Sequence, residues 1–214
     1  MGPKETILKS RKQDVVRNAI WDAAVDLFAE KGFDETTVEE IAQAAGVSRR
    51  TFFRYFSSKN DLMGQGIVDY GTALSEAIRA CPRSLSQIEM VHQTVLKVAT
   101  GAADYPRLRK IMNVSETSPA AREAQMSRRA ELEDRATEAF AERSRTGSRN
   151  DPRPRLLAGL TLAMLDVTFR LWLERAQDIS ETAEQVFQTL IGVVSAGDVK
   201  TAGVRELQAI GRRR

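Results

Sequence analysis

Between Gly46 and Asn60 the chain carries Arg49, Arg50, Arg54 and Lys59 and no acid. Phe52, Phe53, Tyr55 and Phe56 interleave with these cations. A cluster of positive side chains with no local counter-charge binds anions. Arginine adds geometry, since its planar fork can donate two hydrogen bonds to guanine O6 and N7. Thr51, Tyr55 and Lys59 recur every four residues, which aligns them along one flank of a helix. Donors there meet phosphate oxygens. Phe52 and Phe56, also four apart, would anchor such a helix, and Phe53 would point away from the anchor towards thymine methyls or sugar. A nucleic-acid duplex is the partner that this pattern fits.

The flanking residues supply the elements that must hold it. Ser48 is an N-cap for the basic helix, and Gly46 breaks the chain just before it. Upstream, Thr37 and Glu40 have the spacing of a capping box for a short helix that buries Val38, Ile41, Ala42 and Ala45. A first helix is predicted from about Asp14 to Lys31, with Val16, Ile20, Ala23, Ala24, Leu27 and Phe28 as its apolar stripe and Gly32 as its stop. Two short helices joined by a glycine-containing turn are the pattern of a helix-turn-helix, whose second helix lies in the major groove. Arg49 and Arg50, in the first turn of that helix, are the base-reading candidates. Lys4, Lys9, Arg11 and Lys12 precede the first helix and read as a mobile basic arm.

Composition excludes other classes. With 42% hydrophobic and 29% charged residues, the chain has a globular balance. Its net charge of +3 is small, so the distribution of charge is the informative part. One cysteine, Cys81, permits no internal disulfide and fits a cytoplasmic, reducing setting. It reads as a small buried residue at a helix end. The single histidine, His92, leaves no His-based metal set, and no metal or cofactor is expected. No nucleophile–base pair or phosphate-cradling glycine loop points to an enzyme. The most apolar stretch, from Leu156 to Leu173, contains Asp166 and Arg170, so it is read as a buried helix and no membrane partner is expected. Those two residues, four apart, form an intrahelical pair.

Apolar residues recur at three and four throughout, and the fold class is all-α. Beyond the basic segment, helices are predicted from Lys59 to about Arg79, from Ser84 or Ser86 onwards, around Leu108 to Val114, from Ala120 to about Arg143, from about Arg155 to Arg175, and from about Thr182 to Ala196. Residues 144–154 are the clearest loop.

The whole constellation resembles the DNA-binding domain of the TetR/AcrR family. The residues that carry the likeness are Thr36-Thr37-Val38-Glu39-Glu40-Ile41-Ala42, Gly46-Val47-Ser48, Thr51-Phe52-Phe53-Arg54-Tyr55-Phe56 and Lys59-Asn60-Asp61-Leu62. The resemblance implies a homodimer in which a small DNA-binding domain precedes a larger effector-binding one. Carried over by position, Thr37, Thr51, Tyr55 and Lys59 resemble backbone contacts, with Ser48 as cap, while Arg49, Arg50 and Phe53 resemble base-reading positions. Phe53 stands where a tyrosine is usual; a hydroxyl contact is lost there, and Arg54 can compensate by reaching a phosphate. Arg49 to Phe56, Pro106 to Arg109, and Pro119-Ala120 are similar to the branch associated with acyl-CoA-like ligands.

The expectation is therefore a ligand-responsive regulator of transcription, a repressor by default, on a pseudo-palindromic duplex operator. The alternative is an architectural or activating DNA-binding protein without an effector. Residues 1–60 are read as the basic arm and DNA reader, 61–196 as the helical ligand-binding and dimerisation domain, and 197–214 as a loosely ordered basic tail. Candidate ligand-lining residues are Val91, His92, Val95, Leu108, Met112, Leu160, Met164, Phe169 and Trp172. His92 shares a face with Ile88, Val95 and Ala99 and is read as a core histidine or a pocket residue. Arg107, Arg109 and Lys110 are placed at the cavity mouth to hold a phosphorylated head group. Val186, Phe187, Leu190, Ile191 and Val194 form the expected dimer stripe, pairing two copies into a four-helix bundle.

Overall fold

Thr37 and Ser48 begin their helices as the sequence predicts. Each backbone is extended at the cap, and each hydroxyl accepts from the N–H three residues on. The computed structural model describes residues 3–105, 107–143, 151–175 and 177–195, with side chains from residue 13 onwards. Among the described residues there are ten helices and no strand.

Helices α1 (Pro3–Lys31), α2 (Val38–Ala44) and α3 (Arg49–Tyr55) form the N-terminal unit. Helix α1 starts about three turns earlier than expected. Neither proline nor glycine interrupts residues 4–31, and Pro3 suits a first helical turn. The backbone of the expected mobile arm is thus helical from Pro3; the side chains of Lys4, Lys9, Arg11 and Lys12 lie outside the described ones. Gly46 has φ of 66°, which makes the tight α2–α3 turn affordable only to a residue without Cβ strain.

The long connector α4 (Lys59–Ala80) is followed by α5 (Gln87–Ala103), α6 (Leu108–Thr117), α7 (Pro119–Met126), α8 (Arg129–Arg143), α9 (Arg153–Arg175) and α10 (Ile179–Ser195). The charged helix expected from Ala120 to Arg143 is two helices. Ser127 Oγ donates to the Ala124 carbonyl at 2.7 Å, and Arg128 N–H turns back to Gln125 O, a tightening that ends α7. The tail at 197–214 and the loop at 144–150 lie outside the described residues.

Two apolar clusters organise the chain. The first joins Ile20, Phe28, Phe33, Ile41, Phe52, Phe56, Leu62 and Met63, and it also takes Val114 of α6 with Ala121 and Ala124 of α7. The second gathers α4, α5, α8, α9 and α10 around Leu74, Val91, Val95, Phe140, Leu165 and Trp172. Length and composition alone would let α9 cross a membrane. Its Thr161, Leu162, Leu165 and Thr168 are instead buried against protein. Asp166 and Arg170 pair at 3.3 Å on its outer side, as the spacing predicts.

The clusters meet along a polar seam. Arg107, just before α6, donates to both carboxylate oxygens of Asp26 and lies 3.3 Å from Asp22, both on α1. Lys110 donates to Asp26 at 2.7 Å. Trp21 Nε1 donates to the Tyr105 hydroxyl, also at 2.7 Å. The hydrogen bonds from Arg107 first, then from Lys110, hold the Asp26 carboxyl below its ordinary range. This corrects the expectation that Arg107 and Lys110 await a phosphate: both already have carboxylate partners.

Candidate nucleic-acid interface

Helix α3 is short, and its orientation comes from two rings. Phe52 is fully buried and Phe56 nearly so, their centroids 5.8 Å apart. With those rings turned inwards, Arg49, Arg50, Phe53 and Arg54 are left exposed on one surface. Phe53 is 45% exposed and meets Phe52 edge-on, with centroids 5.4 Å apart. Arg50, Thr51, Phe53 and Arg54 line a shallow open concavity. Arg54 lies over the Tyr55 ring, 5.1 Å from its centre. Among the described residues Arg50 makes no ion pair.

Three of the expected contact residues spend their hydroxyls on local order. Thr37 Oγ accepts from Glu40 N–H, and the Glu40 carboxylate accepts from Thr37 N–H, closing the capping box. Lys31 donates to the same carboxylate at 2.6 Å. These bonds, the lysine's first, pull the Glu40 carboxyl down to about 2. Ser48 Oγ accepts from Thr51 N–H and lies 3.0 Å from Thr51 Oγ. All three hydroxyls remain at or near the surface of the unit.

Lys59 stands apart. Its ammonium donates to the carbonyls of Phe33, Asp34 and Thr36 at 2.7, 2.9 and 3.2 Å, which takes all three of its N–H donors. It ties the start of α4 to the α1–α2 turn, and reaching a phosphate would require it to give up one of these bonds.

Two features were missed by sequence reasoning. Glu39 lies 3.0 Å from Arg49 Nε across the α2–α3 turn, and nothing in the sequence singles it out. The seam did leave a trace: Asp22 and Asp26 are one helical turn apart, as are Arg107 and Lys110.

Of the ligand-lining candidates, Val91, Val95, Met164, Phe169 and Trp172 are buried together in the second cluster, with Leu108, Met112 and Leu160 partly buried at its margin. His92 does not join them. Its Nε2 lies 2.8 Å from Glu184 Oε2, and its ring stacks on Phe187 with centroids 3.9 Å apart. The expected dimer stripe divides similarly. Val186 is buried in its own subunit's core, Phe187 and Leu190 pack against that core, Ile191 is half-buried, and Val194 alone is well exposed. Helix α10 turns that face inwards to cover α5 and α9.

Comparison with known proteins decides the family. Residues 20–65 match the model for bacterial regulatory proteins of the tetR family. Residues 85–195, more than half of the chain, match that for the MftR C-terminal domain. The chain belongs to the TetR family. This TetR-family protein is a DNA-binding transcription regulator with a helix-turn-helix. It is 28% identical over 191 residues to the transcriptional regulator TcmR of Streptomyces glaucescens, covering 86% of this chain and 84% of TcmR. It is 29% identical over 193 residues to the putative mycofactocin biosynthesis regulator MftR of Mycobacterium tuberculosis, covering 87% and 93%. A regulator FadR from Bacillus subtilis, solved in complex with stearoyl-CoA, shares the fold at a TM-score of 0.58 and 21% identity over 80% of this chain and 96% of FadR. These relatives are regulators rather than enzymes.

Proposed function

We propose that this regulator is a homodimeric, cytoplasmic repressor that reads a pseudo-palindromic operator through α3 and leaves it on binding a small hydrophobic effector. The carrying observation is the exposed cation-and-aromatic surface of Arg49, Arg50, Phe53 and Arg54, held outward by buried Phe52 and Phe56. Arg49 and Arg50 read bases; Arg54, Thr51, Tyr55, Thr37 and Ser48 face the backbone. Lys59 holds the frame.

Residues 1–60 act as the reader and 61–196 as the effector and dimerisation domain. In the dimer, the outer faces of α9 and α10 meet, with Leu156, Val167, Val193 and Val194 exposed there. An apolar stripe of this kind on two adjacent helices is what a four-helix bundle covers. Two recognition helices then fall about one or two duplex turns apart.

Effector binding belongs to the second cluster, between α4, α5, α6 and α9. The apolar character of that cluster suits a long-chain acyl group, and FadR is a fold relative solved with stearoyl-CoA. Arg109 is the head-group candidate that remains: its guanidinium lies 3.8 Å from the centre of the Trp172 ring, and it makes no ion pair among the described residues. A ligand that favours one spacing of the two reading heads over the other shifts DNA affinity, and the coupling is reciprocal.

The test is to select duplexes from a randomised pool with the protein, then follow release by fluorescence anisotropy. Stearoyl-CoA should release the selected duplex, while free coenzyme A should not. No selection of any sequence would end the operator reading; selection without release by any acyl-CoA would end the acyl-CoA reading alone.

A further inference from the structure

Glu39 puts a negative charge beside a surface that has to approach phosphate. The neighbouring Glu40 is accounted for by Lys31 and the capping box. Glu39 takes no part in that box, and among the described residues its one ion-pair partner is Arg49. Both side chains are more than half exposed, at 56% and 66%, and exposed pairs contribute little stability. Stability does not account for the arrangement. Its geometry does.

The carboxylate meets Arg49 at Nε, 3.0 Å away, on the inner edge of the guanidinium. The central carbon of the same group lies over the Phe53 ring, 5.4 Å from the ring centre. One contact holds the group from its stem side and the other keeps it over the ring. The two terminal NH2 groups stay unengaged, and they are the donors that guanine O6 and N7 require. Arginine otherwise loses considerable rotamer entropy on binding, and ordering it beforehand removes that cost.

Resting on the proposed reading of bases by Arg49, we propose that Glu39 is a specificity-determining positioning residue, which with Phe53 aims Arg49 at a guanine edge. The acid has a second effect. It repels phosphate on every sequence alike, so it lowers affinity for all duplexes and leaves the ratio between them to the aiming of Arg49.

The test measures affinity for a duplex selected by the wild-type protein and for a scrambled duplex of the same length. Glu39→Ala should lower the preferred-to-scrambled ratio by roughly three- to tenfold, part of the discrimination that a bidentate arginine gives. Affinity for the scrambled duplex should rise and the melting temperature stay put. Glu39→Gln, which keeps the side chain's shape but not its charge, should lower the ratio as Glu39→Ala does. In an Arg49→Ala background, Glu39→Ala should cause no further loss of ratio. An unchanged ratio for Glu39→Ala, or an equal fall in both backgrounds, overturns the proposal; the second result would make Glu39 a base reader itself. Arg49→Ala alone tests the underlying reading: if its ratio matches wild type, Arg49 reads no base, whatever Glu39 does.

Discussion

The Lys59 ammonium lies 4.8 Å from the centre of the Phe33 ring and donates to the carbonyl of the same residue at 2.7 Å. One cation thus closes the α1–α2 turn from above and caps three carbonyls that no helix satisfies. Lys59→Met should lower stability by about 1.5–3 kcal/mol, the range for charged hydrogen bonds. Chemical denaturation measures it. The salt dependence of DNA binding should keep its slope; a slope reduced by about one would place Lys59 on a phosphate instead.

Arg50 and Arg54 sit on one surface but should fail differently. Arg50→Ala should cost roughly 1–3 kcal/mol on the selected duplex and relax the choice of base. Arg54→Ala should weaken every duplex alike and lower the salt slope by about one. Anisotropy titrations on selected and scrambled duplexes at several salt concentrations separate the two. If Arg50→Ala kept the wild-type ranking of sequences, Arg50 would meet the backbone and read no base.

Assembly gives a sharper contrast than the apolar stripe suggested. Val167→Glu and Val194→Glu alter side chains exposed at 45% and 70%, so each subunit should fold and remain a monomer in sedimentation equilibrium. Phe187→Asp instead breaks the stack on His92 and should reduce the melting temperature as well. A dimer that survived both valine changes would move the interface off α9 and α10.

The Glu40 carboxyl should titrate at about 2, well below the ordinary 4.5. Its pKa is depressed in the folded state, so its stabilising effect is complete above 4.5 and fades as the pH falls towards 2. Carbon-detected NMR titration reads this directly. Lys31→Met should move the value back towards 4.5, because the lysine is the largest cause of the shift. An unmoved value would leave the capping box as the whole cause.

Local signals in the sequence were read well. The Thr37–Glu40 box, the Ser48 cap and the Phe52–Phe56 pair each act within four residues, where spacing determines contact. Arg107 and Lys110 were misjudged because their partners lie over eighty residues away on α1, and a surplus of positive charge looks the same whether or not an acid meets it in the fold. The α10 stripe is a related case. Periodicity shows that Val186, Phe187 and Leu190 share a face, but not that the subunit's own α5 and α9 cover it.

The first apolar cluster is not closed by the helices that carry the reading surface. Val114, Ala121 and Ala124 complete it, and they follow α3 by more than half the length of the N-terminal half of the chain. On a translating ribosome, α1, α2 and α3 therefore emerge with an open apolar flank and wait for α7. A nascent chain halted before that point, or a fragment cut at the end of α4, presents an exposed seam to chaperones and proteases. Completion of that cluster by α6 and α7 thus ties the order of the reading surface to the first helices of the larger C-terminal unit.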